Sequence, residues 1–386
     1  MLGVLFGKTR AKRASGPVAG ADTSGPAVTL PATMADVTPH WLQAALKEHP
    51  EFHGKTISAV SATSVGEGIG QMSALARLVL TYERSKGPRS IVVKLHPPFE
   101  AMRAVGIRYE MYAREAAFYQ SLAAQSGAPT PNIFFCGWDP ASQRSVTVMQ
   151  DMTRWHWPDQ LTGATLREAS LCVGAIAKVS ARQWGSDFAQ YPWLPDTRAP
   201  VLQNMISDYR QCVPLTLDRL KDYVSPEAKN ACERIAQSID WLLDELAKPP
   251  LVLTHFDSRL ENFVFESKGS SRLAMIDWQL VARLRPGWDL AYLAGSSLTD
   301  KDRRKFLPRL RRQYLSGLRA AGVRGYGPDK FDIDFRLNTM GVTVIPIIGG
   351  AAFDMENKRS VELFGSILKR SLGSVLDNKS VELLPP

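Results

Sequence analysis

Three very short apolar segments, each followed by polar residues, lie between residues 251 and 277. The segments 251–254, 263–265 and 273–276 hold only three or four residues each, which is too few for a helix. Lys268-Gly269 stands between the second and the third segment and indicates a tight turn. The sequence therefore predicts one buried strand followed by a β-hairpin.

Polar side chains flank these predicted strands, and they include Asp257, Asn262 and Asp277. Asn262 and Asp277 come at adjacent strand ends, with Asp257 in the connecting turn. Mg2+ prefers oxygen ligands and keeps substrate phosphates in its shell, so this set suits a Mg2+-nucleotide site. A second interpretation stays open for Asp257 and Asn262, because these residue types also stabilise turns through hydrogen bonds to the backbone.

The sequence pattern changes near residue 152, from mostly strands to mostly helices. Five strands are predicted over 56–65, 76–82, 90–95, 132–138 and 145–152, with one amphipathic helix over 104–124 between the third and the fourth. Further amphipathic helices are predicted over 165–184, 201–222, 226–247, 301–320 and 357–376. This order indicates an α+β fold with two lobes. We divide the chain into a flexible tail (1–34), a sheet lobe (35–152) and a helical lobe (153–386).

Two charged residues of the predicted sheet lobe are candidate site residues, although a lysine on a strand, taken alone, is more often a surface residue. Lys94 lies on the third strand, and Glu115 shares one helix face with Met111, Phe118 and Leu122. No basic residue lies three or four positions from Glu115, so its own helix offers no partner. A buried carboxylate needs a partner, which therefore has to come from another element.

A glycine-rich turn connects the first two predicted strands and contains Gly66, Gly68 and Gly70. Glycines let a backbone approach phosphates closely and place amide N–H groups on them. A plain β-turn would explain the same three residues.

The motif H-x-D-x-x-x-x-N over 255–262, followed by Asp277 at the end of an apolar strand, resembles the catalytic and metal-binding loops of kinases. Only eleven residues separate Asp277 from Asp289, which leaves no room for the peptide-docking segment of a protein kinase. With the block R-P-G-W-D-L-A-Y-L over 285–293, this spacing resembles the aminoglycoside phosphotransferase and choline kinase superfamily of small-molecule kinases. Within it, the chain looks most like the group of ecdysteroid-kinase-like proteins and of kinases linked to acyl-CoA dehydrogenases.

This resemblance extends over residues 35–375 and implies a bilobal, protein-kinase-like fold. It implies transfer of a phosphate from ATP, with GTP as an open alternative, to a hydroxyl of a small molecule, assisted by Mg2+. Asp257 would be the catalytic base, and Asn262 and Asp277 would hold Mg2+. Asp289 would brace the catalytic loop.

The resemblance also implies a nucleotide site in the sheet lobe. Lys94, held by Glu115, would contact the phosphates below the glycine-rich turn. The strand end formed by Met149, Gln150, Asp151 and Met152 would be the hinge that holds the nucleobase.

One residue departs from the family pattern beside the predicted base. Phe256 stands where the family usually has glycine, and a large side chain there could reshape the acceptor site. A nucleotide-binding regulator without turnover is therefore the alternative function, although every charged catalytic residue is present.

The net charge of +9 comes from two segments of the chain. Residues 1–20 hold four basic residues and no acid, and residues 301–324 hold nine basic residues and one acid. Because the second segment also has an apolar stripe, its basic residues are interpreted as the solvated face of a helix. We therefore expect no nucleic-acid partner.

The apolar stretch 340–353 falls short of the about 20 residues that a membrane span needs, so we expect a buried helix and no stable membrane insertion. The four widely spaced cysteines fit a reducing compartment, and we expect a cytoplasmic protein. The patterns leave the oligomeric state open.

Overall fold

The computed structural model of the chain describes residues 28–65 and 73–386. Its first part holds an antiparallel sheet with the strand order β1-β2-β3-β5-β4. The strands are β1 (Ile57–Ser64), β2 (Ala74–Tyr82), β3 (Ser90–Leu95), β4 (Ile133–Asp139) and β5 (Arg144–Gln150). Each strand ends within two residues of its predicted bounds, so the predicted five-stranded sheet is confirmed.

The chain that leads into this sheet is packed from residue 28 onward. Helix α1 (Pro39–Leu46) begins at Thr38, whose Oγ1 accepts a hydrogen bond from the Trp41 N–H. The Trp41 indole donates to the Thr29 carbonyl at 2.8 Å, and Leu30 is buried in the core of the sheet lobe. The packed chain therefore begins before residue 34, where the predicted tail ends.

The helical stretch between β3 and β4 is broken into pieces. It consists of α2 (Glu100–Arg108), α3 (Met111–Ala117), a π-helical turn (Phe118–Leu122) and α4 (Ala123–Ser126). Glu110 breaks it with φ +53°, so the single helix predicted over 104–124 is replaced by shorter segments. The predicted buried face is nevertheless present, because Met111, Glu115, Phe118 and Leu122 are all buried.

The second part of the chain is mostly helical, as the sequence predicts. Its helices are α5 (Leu166–Arg182), α6 (Pro200–Arg219), α7 (Pro226–Gln237), α8 (Ile239–Leu246), α9 (Trp288–Ser297), α10 (Asp300–Ala320), α11 (Pro328–Gly341), α12 (Val344–Ala352) and α13 (Lys358–Asp377). The helix predicted over 226–247 is interrupted at Ser238, and the sequence patterns did not indicate α9 or most of α11.

Among the described residues, only the segment Pro328–Ala352 is long and apolar enough to span a bilayer. It comprises α11 and α12, and 78% of its most apolar window is buried inside the fold. The apolar stretch 340–353 is therefore part of the protein core, as expected.

Four short strands lie within the helical part: β6 (Val252–Thr254), β7 (Phe263–Phe265), β8 (Leu273–Met275) and β9 (Ala282–Leu284). Strands β7 and β8 form the predicted hairpin. Strand β6 pairs with β9, a strand that the sequence analysis missed. The polar loop between β6 and β7 thus leaves one small sheet and enters another.

The buried apolar residues form two clusters. The smaller one joins α1 to the five-stranded sheet. The larger one fills the helical part and also includes Tyr109, Met111, Phe118 and Leu122 from the helical stretch before β4. This stretch therefore packs with the helical lobe.

Candidate active site

The loop after β6 is held in place by Asp289 in the first turn of α9. One carboxylate oxygen accepts the His255 N–H at 2.9 Å, and the other accepts the Phe256 N–H at 3.0 Å. Ser258 Oγ donates to the Asp289 carbonyl at 2.8 Å, and the Trp288 indole donates to the Phe256 carbonyl at 3.0 Å. These contacts fix the backbone on both sides of Asp257.

Phe256 adopts a left-handed backbone conformation with φ +75°. This conformation favours glycine, which is the residue usual in the resembling family. The Phe256 ring is 2% exposed, packs on Trp288 with a centroid distance of 4.9 Å, and lines an apolar cavity with Leu243 and Leu246. The large side chain is therefore accommodated by the core of the helical lobe.

Asp257 is half-buried, but its Oδ1 atom is shielded from solvent and has no hydrogen-bond partner among the described residues. Asn262 Nδ2 donates to the Asp257 carbonyl at 2.6 Å, which brings the two predicted site residues together. Burial raises the pKa of Asp257 to about 6, although nearby Arg259 opposes the shift. This carboxylate is ionised at neutral pH and is available to accept a proton.

Lys94 on β3 lies between two carboxylates. Its ammonium contacts Glu115 Oε1 at 2.8 Å and Asp277 Oδ1 at 2.7 Å. Burial alone would lower the pKa of Lys94, but the charges of Asp277 and Glu115 raise it above its usual value. Glu115 thus has a partner from another element, and the contact joins the sheet lobe to the loop after β8.

Asp277 has a left-handed backbone with φ +66° and is the second such position at this site. Burial disfavours its charge, but Lys94 outweighs burial and lowers its pKa. The Gln279 side-chain amide also donates to Asp277 Oδ1. Residues held in sparsely populated backbone conformations are frequent at functional sites.

Arg114, which the sequence analysis did not single out, fastens α3 to the chain after Asp277. It is 1% exposed and donates hydrogen bonds to the carbonyls of Leu280, Val281 and Tyr109. Burial lowers its pKa to about 9, so the guanidinium remains charged at neutral pH. The partners of Arg114 are backbone atoms, so residue type and spacing could not identify them.

Stacked aromatic rings also join the helical stretch before β4 to the chain after Asp277. The ring of Phe118 stacks on Trp278 with a centroid distance of 4.1 Å and an interplanar angle of 12°. Trp278 also contacts His255, whose Nε2 lies 2.7 Å from the Ile276 carbonyl. Burial lowers the pKa of His255, so the neutral ring donates this hydrogen bond from Nε2.

The predicted hinge lies where β5 ends, beside the pairing of Met149 with Val92 on β3. The Asp151 carboxylate accepts hydrogen bonds from Arg77, Ser90 and Thr153. Burial would raise its pKa, but these bonds lower it to about 2.

Other atoms of the hinge also have protein partners. The Gln150 N–H donates to the Asn132 carbonyl, and the Met152 carbonyl accepts from the Trp157 indole. The Asp151 side chain and these two backbone groups therefore hold the hinge in place.

The donor atoms at this site suit a hard metal ion. Asp257 Oδ1 and Gln279 Oε1 are buried oxygens without hydrogen-bond partners among the described residues, and Asp277 supplies a second carboxylate nearby. No group of three His, Cys, Asp or Glu side chains with metal-binding geometry occurs in residues 28–65 and 73–386. A site of this kind fits Mg2+, which takes few protein ligands and completes its shell with phosphates and water. Gly66, Gly68 and Gly70 lie outside the described residues.

Comparison with solved structures gives the same architecture. A protein assigned to the aminoglycoside phosphotransferases of Ralstonia eutropha JMP134 superimposes with a TM-score of 0.52 at 15% identity, covering 88% of this chain and 97% of that one. Choline kinase from Cryptosporidium parvum Iowa II gives 0.51 at 14% identity, with 88% and 92% coverage. A microcompartment-associated aminopropanol kinase gives 0.51 at 14% identity, with 81% and 90% coverage. At these identities the likeness establishes the bilobal kinase-like fold.

No curated protein matches the chain in sequence. The model of the phosphotransferase enzyme family, in contrast, matches residues 77–326, which run from β2 to beyond α10. This range includes Lys94, Glu115, Asp257, Asn262 and Asp277, and it covers well over half of the sequence. The chain belongs to the phosphotransferase enzyme family.

Proposed function

We propose that this protein is a small-molecule kinase that transfers the γ-phosphate of ATP to a hydroxyl group. The observation that carries the proposal is the contact of Lys94 with both Glu115 and Asp277, close to the hydrogen-bonded residues Asp257 and Asn262. A cation and the proposed metal ligands thereby lie close to a carboxylate whose Oδ1 has no partner among the described residues. Phosphoryl transfer needs this combination, because its catalysis depends mainly on positioning and charge stabilisation.

Asp257 is the proposed catalytic base. Its carboxylate would accept a hydrogen bond from the acceptor hydroxyl and orient that oxygen toward the phosphate. With a pKa of about 6 it is mostly ionised at neutral pH, and Asp289 keeps its loop in place.

Asn262 and Asp277 are the proposed Mg2+ ligands. When bound, Mg2+ would neutralise charge on the nucleotide phosphates. Lys94, oriented by Glu115, would add its positive charge to the same phosphates. The glycine-rich turn of Gly66, Gly68 and Gly70 would supply backbone N–H groups, and residues 149–152 would receive the nucleobase.

The proposed acceptor is a small molecule with a hydroxyl group. Two of the similar structures are a choline kinase and an aminopropanol kinase, and both names refer to small alcohols. The proposal assigns nucleotide binding to residues 35–152 and catalysis with acceptor binding to residues 153–386. It places the reaction in the cytoplasm, where ATP and Mg2+ are plentiful.

A turnover assay with a base-deficient variant tests the proposal. The purified protein is incubated with Mg2+ and ATP, or GTP, and ADP or GDP release is measured over a panel of hydroxy acids, sterols, amino alcohols and aminoglycosides. We expect acceptor-dependent release, and we expect Asp257→Asn to reduce it by about 10²–10⁴-fold while nucleotide still raises the melting temperature. Asp222→Asn, on an exposed carboxylate, is the matched control.

Two outcomes would contradict parts of the proposal. Unchanged turnover in Asp257→Asn would remove Asp257 as the base. Tight nucleotide binding with no acceptor-dependent release across the panel would support a nucleotide-binding regulator in place of an enzyme.

A further inference from the structure

Helix α10 has two chemically different faces. Leu307, Leu310, Tyr314 and Leu318 are buried and form its inner face. The outer face carries five exposed basic residues, which we call the basic stripe: Lys301, Lys305, Arg309, Arg312 and Arg319. Their spacings of 4, 4, 3 and 7 residues put them along one side of the helix, over a length of about 27 Å.

The charges of the basic stripe are not neutralised by the fold. None of its five residues has a carboxylate within 4.0 Å in the part of the chain that the structure describes. The neighbouring Arg303 and Arg304 pair with Asp377, and Arg311 pairs with Asp332. These three arginines therefore account for the ion pairs of α10, and the stripe remains a surface of one sign.

A cavity of about 470 Å³ opens beside the stripe, between α10, α11 and the end of α13. Arg312 lines it together with the apolar side chains of Leu307, Leu315 and Phe331, and Asp377 lines it with the two arginines that it pairs with. Its lining residues belong to none of the elements that carry the candidate active site. Apolar walls beside the guanidinium of Arg312 suit a ligand that joins a phosphate to hydrocarbon.

We propose that the basic stripe and this cavity form a docking surface for an anionic phospholipid bilayer. Each Lys or Arg near such a surface contributes about 1 kcal/mol, which is about a fivefold change in binding. A straight row of cations matches a flat anionic surface, and the cavity would receive a lipid phosphate with the first part of its chains.

Phosphates of nucleic acids carry the same charge, but the structure favours lipid. Binding of single strands relies on exposed aromatic side chains, and none of the exposed large apolar residues in the described chain lies on α10. The apolar walls of the cavity also suit hydrocarbon better than ribose. The inference concerns a surface contact without a membrane-spanning segment, and it is independent of the proposed catalysis.

Vesicle co-sedimentation of the full chain tests this surface. Vesicles of phosphatidylcholine are compared with vesicles that contain about 30% phosphatidylserine, at low and at raised ionic strength. We expect binding to the anionic vesicles alone, and loss of binding as salt is raised.

A charge-removal variant assigns the binding to the stripe. We expect Lys305→Gln/Arg309→Gln/Arg312→Gln to weaken vesicle binding roughly 100-fold, at about fivefold per residue. The matched control, Arg84→Gln/Lys86→Gln/Arg89→Gln, removes the same charge from exposed positions of the sheet lobe and should change binding much less. Both variants should keep the melting temperature and nucleotide response of the unaltered protein.

Three results would overturn the proposal. They are the absence of binding to anionic vesicles at low salt, equal weakening by the two triple variants, and binding to an RNA duplex without binding to vesicles. The last result would assign the stripe to nucleic acid.

Discussion

Phe256 combines a buried ring with a backbone conformation that a side chain disfavours. A left-handed conformation costs a non-glycine residue about 1–2 kcal/mol, whereas truncating a buried Phe to Ala costs about 3–5 kcal/mol. We therefore expect Phe256→Ala to lower the free energy of unfolding by about 3–5 kcal/mol. We expect Phe256→Gly to be more stable than Phe256→Ala by about 1 kcal/mol, because glycine tolerates φ +75°.

Urea unfolding of the two variants measures this order. Leu243 on α8 lines the same cavity and provides the control. At this helical position Gly should be about 1 kcal/mol less stable than Ala. If the Ala variant is more stable than the Gly variant at both positions, the backbone conformation at Phe256 is not strained.

The raised pKa of Asp257 predicts how the rate depends on pH. A base acts only when deprotonated, and burial raises the pKa of Asp257 to about 6. We expect kcat/KM for the acceptor to be constant above this pKa and to fall about tenfold per pH unit below it. The profile is measured with saturating Mg-ATP, and thermal melts at each pH exclude unfolding as the cause. A flat profile between pH 5 and 7 would contradict a base with this pKa.

Helix α3 reaches the active site through two adjacent side chains near its middle. Glu115 meets Lys94, and Arg114 holds the carbonyls of Leu280 and Val281 three and four residues beyond Asp277. These contacts fix the position of the helix relative to the loop. A shift of about 1 Å in such a constellation can cost roughly 10²-fold in rate.

Arg114→Met removes these donors while keeping most of the side-chain length. We expect kcat to fall by roughly 10–100-fold, because Lys94 and Asp277 lose their relative placement. Arg114→Lys should recover part of the rate, since it restores one charged donor. Steady-state kinetics with varied Mg-ATP separate kcat from KM, and Arg167→Met, at an exposed arginine on α5, is the control. A loss of melting temperature with unchanged kcat would assign Arg114 a purely structural role.

Local patterns predicted most elements because each pattern depends on neighbouring residues. Strand alternation and the turn at Lys268-Gly269 predicted the β7-β8 hairpin, and the apolar stripe predicted that Glu115 is buried. The missed elements depend on distant partners. Ala282–Leu284 is a strand because it pairs with β6, about thirty residues earlier, and the acceptors of Arg114 lie 166 and 167 residues away. Contacts between residues so far apart cannot be predicted from the spacing of residue types along the chain.

In the candidate site, too, some features could be predicted from the sequence, whereas others depend on distant partners. The predicted residues Lys94, Glu115 and Asp277 meet in the structure, because the family pattern places each on a particular element. The use of Asp151 as an acceptor for Arg77, Ser90 and Thr153 could not be predicted, since it depends on the packing of β2 and β3 against the hinge. Glycines 66, 68 and 70 remain predicted phosphate contacts.

At the scale of the whole molecule, the two lobes share a helical stretch. Residues 105–122 follow β3 in the chain but pack in the core of the helical lobe. Arg108 and Tyr109 then bind Asp208 on α6, with contacts of 2.6 to 2.7 Å to its carboxylate. Because the sheet is connected to this stretch on both sides, we expect the lobes to unfold together.

Asp208 provides a test of this coupling. Its side chain is 4% exposed, whereas Arg108 is 32% exposed. Asp208→Asn keeps the size but removes the charge, which leaves Arg108 and Tyr109 with a weaker acceptor. We expect the free energy of unfolding to fall by about 3 kcal/mol, at the low end for a broken buried pair because Arg108 is partly exposed. Asp240→Asn on α8 breaks an exposed pair with Arg210 of α6 and should cost about 0–1 kcal/mol.

Tryptophan fluorescence during urea unfolding can follow both lobes, because Trp41 and Trp138 lie in the sheet lobe and Trp278 and Trp288 in the helical lobe. Variants that retain single tryptophans in one lobe or the other report each lobe separately. With Asp208 present, both probes should give the same midpoint, since the shared stretch belongs to one core. In Asp208→Asn both midpoints should fall together, because the apolar packing of residues 105–122 still joins the lobes. Separate midpoints in the unaltered protein would contradict the shared core, whereas separation only in the variant would assign the coupling to the Arg108–Asp208 pair.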